Sequence, residues 1–382
     1  ERVNVKIQDN NQNELKMVLY VNKVNPLSED TRKQIVQLEL ASREFIMNEK
    51  VRVNTRFDGK ISDHIKKLLE DKKYLGPTEK SEGKEGFKAK KIDVEETENT
   101  YNFVGNNKKP YYIINWLSRG SVPKLPESGG ATGISAGFLF WETNKGLHFK
   151  SIDSLFAQEP KISVLYNESP DENNTPPVGY DVKALEYSVS NAVDVQNKLK
   201  LGAYSTRLIV FNPFNTYYEV INPKAEDNED KLSLAGKELP VLNKEFKKED
   251  GPDFSRTTYM LLDPGSLPSG KGIGKGQEQV QKREQENFKP KEYLNQGIMR
   301  MNQVFSQKTT ITIPGDFSLH AGDAIFVDAP QVSGDPENDK ENTQTGGLYI
   351  IADLCHYISA KNTLTKLNLV RDSFGRKPKS RN

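Results

Sequence analysis

Residues 309–328, TTITIPGDFSLHAGDAIFVD, are answered by residues 346–373, GGLYIIADLCHYISAKNTLTKLNLVRDS, and these two stretches constrain the fold more than any other part of the chain. Ile311 and Ile313 alternate with threonines, so one strand face is apolar and the other polar. Pro314-Gly315-Asp316 breaks that strand, Ala321-Gly322-Asp323 makes a second tight corner before Ile325, and two further strand-like runs close at Arg371. Four short strands joined by turns, with nothing chemically reactive between them, predict half of a small β-barrel or sandwich. The pattern points to a building block and not to an enzyme.

A chain of 382 residues exceeds what one core usually supports, so two or more domains are expected. Only 35% of residues are hydrophobic, 28% are charged and the mean hydropathy is −0.71, which predicts long solvated loops or surfaces buried only on assembly. The 54 basic and 53 acidic residues nearly cancel, so no basic stripe marks a nucleic-acid binder. Cys355, the only cysteine, excludes an intrachain disulfide. Its place in an apolar strand predicts a small buried core residue, and the chain fits a reducing compartment or a particle assembled inside a cell. No apolar run is long enough to span a bilayer, so stable membrane insertion is not expected. Val3, Val5 and Ile7 alternate with Asn4 and Lys6, so the chain is expected to begin inside a strand, with residues preceding Glu1.

Residues 1–57 read as four antiparallel strands, the last carrying Val51, Val53 and Phe57 on one face. Ile61, Ile65, Leu68 and Leu69 then take helical spacing, and Pro110 opens a second helix through Ile113, Ile114, Trp116 and Leu117. Residues 76–100 read as a charged, flexible excursion. A hairpin is predicted over 137–152, turning at 143–146, with a further strand at 162–166. Beyond the polar linker 167–179, strands are expected near 185–189, 208–211, 217–221 and 259–262. A helix from about 277 should break or kink at Pro290 before the closing strands.

Gly265-Ser266-Leu267-Pro268-Ser269-Gly270-Lys271 has the spacing of a phosphate-cradling loop, but Gly272 stands where such a loop needs Ser or Thr to ligate Mg²⁺. A mobile cationic surface loop is the better reading. His64, His148, His320 and His356 are scattered singly and read as surface or packing residues. Cys355 and His356 cannot form a dyad through adjacency, because neighbours on a strand point to opposite faces. Asp316 and Asp323 sit beside Gly315 and Gly322 and suit turn capping. Asp335, Glu337, Asp339 and Glu341 lack calcium-loop spacing and read as a solvated hairpin loop. Arg376, Lys377, Lys379 and Arg381 read as a frayed basic tail, and Asn167-Glu168-Ser169 carries little weight as a glycosylation site before Pro170. The sequence therefore offers no catalytic set, no metal ligands and no cofactor site.

Several pieces, in their order and spacing, resemble the baseplate hub protein of T-even-like contractile-tailed phages, related to the late control protein D family. The carriers are Phe57-Asp58-Gly59-Lys60-Ile61 leading into a helix, then Trp116-Leu117, then the hairpin from Phe138-Leu139-Phe140-Trp141 to Ile152-Asp153. The Gly315, Leu319, Gly322-Asp323 corner, Gly347-Leu348-Tyr349-Ile350 and residues 367–371 complete them. The resemblance spans most of the chain.

It implies a mainly β fold with α+β insertions: two tail-tube-like antiparallel β-barrels plus inserted domains. Residues 1–57 would be the later part of the first barrel and 58–177 an inserted α+β domain. The second barrel would combine 178–222 with 308–372, leaving 223–307 as an excursion and 373–382 as the basic tail. It also implies a homotrimer in the virion, assembled in the host cytoplasm, seated between the tail tube, other baseplate proteins and a central spike. Two similar barrels taken three times would meet a sixfold tube, with DNA passing through the channel without sequence-specific binding. A P-loop-like nucleotide-binding protein and a β-rich adhesion or glycan-binding module are the competing readings.

Overall fold

The computed structural model describes residues 1–9, 11–78, 89–124, 136–167, 175–191, 194–212, 217–225, 232–248, 251–261, 290–329, 345–359 and 361–377. The described residues are mainly strand, with a few short helices.

The chain opens with β1 (Arg2–Gln8), β2 (Glu14–Asp30) and β3 (Lys33–Ala41), an antiparallel meander in the order β1-β2-β3. Register shifts between Val21 and Lys23 and between Pro26 and Ser28 mark two bulges in β2. Beyond the first bulge the β2–β3 hairpin extends past β1 as a two-stranded arm, because β1 pairs only as far as Tyr20. Among the described residues these strands form an open three-stranded sheet.

Next comes a compact α+β module. It contains α1 (Arg43–Lys50), β4 (Arg56–Phe57), α2 (Ile61–Glu70), β5 (Lys91–Val94), β6 (Phe103–Val104), α3 (Pro110–Ser118), β7 (Phe138–Glu142), β8 (Gly146–Ser151) and α4 (Ile152–Phe156). The Ser42 Oγ caps α1 by accepting the Phe45 N–H at 3.2 Å. Pro110 begins α3, where its missing N–H costs nothing. The fourth strand read over 51–57 is corrected here. Val53 makes only an isolated bridge to Lys108, and Val53 and Phe57 are buried in this module's core with Ile61, Leu68, Phe103 and Ile113. The excursion at 76–100 also carries a strand: β5 pairs parallel to β8, with Ile92 and Val94 against the same core.

The remaining strands are β9 (Ser163–Leu165), β10 (Val182–Lys183), β11 (Glu186–Asn191), β12 (Thr206–Asn212), β13 (Tyr217–Ile221), β14 (Arg256–Leu261), β15 (Gln307–Pro314), β16 (Ala324–Asp328), β17 (Gly347–Ile358) and β18 (Thr363–Arg371). Two helices accompany them, α5 (Val195–Leu201) and α6 (Pro290–Val304), the latter starting at Pro290 among the described residues.

The principal sheet has the order β10-β9-β16-β17-β18-β15-β11. It is antiparallel from β16 to β11, while β9 runs parallel to both β16 and β10. Both edges belong to one continuous segment, 182–191. The Ala184 N–H donates to the Leu165 carbonyl at 2.8 Å, and the Leu185 N–H donates to the Thr312 carbonyl at 2.7 Å. The sheet therefore curls until one segment hydrogen-bonds at both ends of the ladder, enclosing Val164, Ile311, Ile313, Leu319, Ile325, Val327, Tyr349, Ile351, Leu367 and Leu369. The expected second barrel differs in its strands. Residues 206–221 form β12 and β13, which pair with β14 in a separate sheet of order β13-β12-β14, and β9 takes their place in the curled sheet.

Cys355 is exposed, against the expectation of a buried core residue. The cause is a bulge between Ile351 and Asp353. Before it the odd-numbered Tyr349 and Ile351 face the interior; after it Leu354 does, and Cys355 is turned outwards.

Candidate assembly surfaces

Among the described residues, two β surfaces have an apolar face that no described residue covers. The first is the arm. Val24 pairs with Leu38 and Pro26 with Val36, and paired residues share a face, so these four form an apolar stripe. Val24 is 53% exposed and Leu38 49%. Lys23, Asn25, Gln37 and Glu39 occupy the opposite face. Such amphipathic alternation normally faces a core, yet here it faces solvent.

The second is the sheet β13-β12-β14. Leu208 and Val210 of β12 are buried on its inner side. On its outer side Phe211 pairs with Tyr218 and Leu261, and Ile209 pairs with Val220 and Tyr259. Tyr218, Tyr259 and Leu261 are 65%, 76% and 67% exposed. These residues carry the strand alternation of a core, but no described residue covers them. Contiguous apolar area rich in Tyr and Phe is the composition of an interface centre.

The meander that carries the arm is anchored at both ends. At one end the buried Asp9 carboxylate accepts the Phe317 N–H at 3.0 Å and two hydrogen bonds from Asn13. Burial pushes this carboxyl up, but those hydrogen bonds outweigh it and hold Asp9 below the usual range. At the other end the Ser42 hydroxyl donates to Glu142, and Arg43 donates to the carbonyls of Leu75 and Gly76. Between these anchors lies an open groove of about 1130 Å³ bordered by Lys6, Lys16, Tyr20, Arg43, Lys90 and Glu142.

A smaller cavity of about 230 Å³ lies where the α+β module meets the 319–323 corner. Here His148 shares a hydrogen bond with Asp93 at 3.3 Å through Nδ1 and one with Thr143 Oγ at 3.0 Å through Nε2, and it stacks on Trp141. Sequence reading found no hydroxyl–imidazole–carboxylate series, and the separation of Asp93 from the hairpin hid this one. Its parts serve the hairpin. Thr143 Oγ accepts the Lys145 N–H within the turn, and Asp93 is shared with Lys150 at 3.0 Å. Burial pushes the His148 imidazole down, against the pull of Asp93.

His64 is a packing residue: its Nε2 lies 2.8 Å from the Tyr101 carbonyl and its ring meets Phe57 and Phe103 edge-on. His356 bonds Thr365 Oγ at 2.9 Å and packs on Phe317. His320 lies 3.8 Å from Asp323, and Asp323 accepts its N–H at 2.9 Å; Asp316 likewise accepts the Ser318 N–H at 2.8 Å. Both acids cap turns. Arg376 is not frayed: it pairs with Asp328 at 2.9 Å, and Lys377 donates to the Leu234 carbonyl. Residues 265–272, Glu168, Ser169, the acidic loop 335–341, Lys379 and Arg381 lie outside the described residues. Among the described residues no group of three or more His, Cys, Asp or Glu could hold a metal ion, and no helix is long and apolar enough to cross a membrane.

A buried charge cluster joins elements far apart in sequence. Arg300 on α6, fully buried, donates to Asp153 at 3.1 Å, to Asp372 and to the Ser233 carbonyl at 2.6 Å. Asp372 also accepts the Ala235 N–H at 3.0 Å. One guanidinium thus ties α6, α4, the end of β18 and the 233–235 segment together.

No family model matches the chain, and no curated protein matches it. Among solved structures it is similar to the tail protein from Neisseria meningitidis MC58, with 10% identity over 94% of this chain and 82% of that one, and a TM-score of 0.49. It is similar to the prophage MuSo2 43 kDa tail protein from Shewanella oneidensis, with 8% identity over 95% and 79% of the two chains and a TM-score of 0.45. The p2 virion baseplate in its activated conformation follows, with 11% identity over 97% and 79% and a TM-score of 0.27.

Proposed function

We propose that this chain is a structural component of a contractile phage tail, acting as a baseplate hub between the tail tube and a central spike. The ordered motifs from Phe57 to Arg371 supply the class. The observation that carries the reading is the pair of uncovered apolar β faces on one chain, at Val24, Val36 and Leu38 and at Phe211, Tyr218, Tyr259 and Leu261. Surfaces of this kind are costly for a protein that remains alone in water, and they are removed by assembly. A homotrimer is the assembly that adapts a sixfold tube to a threefold spike, with DNA crossing its axis.

In this reading the curled sheet is the rigid frame, and the α+β module and the arm are its contact elements. The work is mechanical: the chain contributes shape, symmetry and a channel. Electron microscopy of assembled tail particles with this chain tagged tests the proposal. Density at the spike end of the tube supports it, and absence from the particle, or a position along the sheath, overturns it. A glycan array addresses the competing adhesion reading, which the exposed Tyr218 and Tyr259 invite.

A further inference from the structure

We propose that the apolar face of the β2–β3 arm packs onto the uncovered face of the β13-β12-β14 sheet of a neighbouring copy of the same chain. The proposal deepens the assembly reading above and rests on it for the existence of a homo-oligomer. It names the two surfaces that meet.

The two faces carry matching rungs. The arm face carries Val24–Leu38, then Pro26–Val36, then, past the second bulge, Glu29–Gln34. The sheet face carries Phe211–Tyr218–Leu261, then Ile209–Val220–Tyr259, then Arg207–Thr257. Each surface is therefore two apolar rungs followed by one polar rung. Aligned face to face, as sheets pack at about 10 Å, the apolar rungs cover each other and Glu29 comes opposite Arg207. Placing the acid against the base fixes the direction of the arm, since the reverse orientation would set Glu29 on the aromatic rung.

A second copy of the chain supplies the partner surface. The arm and the sheet do not cover one another within one chain, because both faces remain exposed. The formal net charge is only +1, so copies approach each other without appreciable repulsion. A contact between two different patches of the same protein is heterologous: each copy gives one arm and receives one. Such a contact closes into a ring when its rotation divides the circle.

The test uses the full chain with the exposed Cys355 replaced, C355S, so that no native thiol competes. Val36→Cys and Tyr259→Cys are introduced into separate preparations, which are mixed and treated with a short bismaleimide. The expected result is a product of doubled mass in the mixture alone, with mass spectrometry joining peptides 36 and 259. In parallel, Arg207→Glu weakens self-association by about fivefold, the scale of one exposed ion pair. Adding Glu29→Arg restores it. An oligomer that forms without the 36–259 link overturns this inference and leaves the hub reading standing. A chain that stays monomeric at every concentration overturns both. A link from residue 36 to a different tail protein in assembled particles assigns the arm to that protein and overturns the inference as well.

Discussion

The indole N–H of Trp141 donates to the Ala321 carbonyl at 2.9 Å, joining the hairpin of the α+β module to a corner of the curled sheet 180 residues away. Gly322, beside it, has φ +90°, and a Cβ there would lie 2.4 Å from the Trp141 ring. Backbone conformation and space both require glycine. Gly322→Ala is expected to lower stability by about 2–4 kcal/mol, and Trp141→Phe by about 1 kcal/mol through the lost hydrogen bond. Denaturant unfolding measures both; unchanged midpoints would mean that the module and the sheet are held together elsewhere.

Removing Arg300 leaves Asp153 and Asp372 buried without their cation. Arg300→Met is expected to cost about 3–5 kcal/mol, more than the pair adds over an apolar replacement of all three residues. Combining Arg300→Met with Asp153→Asn and Asp372→Asn should recover part of that loss. A triple variant no more stable than the single one would contradict the charge argument.

Burial pushes the imidazoles of His64, His148 and His356 below their ordinary value. The native state then holds them neutral where the unfolded chain, at about 6.5, begins to bind protons. Stability is full above that value and falls as pH drops through it towards the lowered native values. Unfolding curves from about pH 8 to about pH 5 should show this decline, and His64→Gln should make it shallower. Lys198 acts in a different window, its ammonium pushed down to about 8 by burial and by Lys308. Its burial penalty is present below about 8 and is relieved as pH rises towards 10.5, so Lys198→Met should flatten stability in that range.

Cys355 stands on the outer face of β17, next to Lys366 across the ladder. It should react fully with a thiol reagent in the folded protein, without denaturant. Slow labelling that accelerates on unfolding would place it inside. Deleting the bulge residue Ala352 should remove the irregularity and leave Leu354 inward and Cys355 outward, so the labelling rate should not change.

Much of the architecture was legible because it rests on local pattern. Alternation at Ile311 and Ile313, the corners at Gly315 and Gly322, the Pro110 helix start and the 143–146 turn each act through neighbouring residues. What escaped depends on partners far away in sequence. Val53 alternates like a strand residue but is captured by the module core, and β12 and β13 join β14 rather than the curled sheet. A single bulge reversed Cys355. Arg300, Asp153 and Asp372 have no common motif, and only the fold brings them together. The exposed apolar faces were the hardest to see, since Tyr259 and Leu38 carry the alternation of core residues and differ from them in having no described residue above.

The central claim is that these uncovered faces exist to be covered by further copies of the chain. Native mass measurement of the purified protein, over a range of concentrations and with Tyr259→Glu as the comparison, tests it most directly. The account expects a species of three times the 43.2 kDa chain mass that Tyr259→Glu reduces to a monomer. A wild-type protein that stays at the mass of one chain throughout would contradict it.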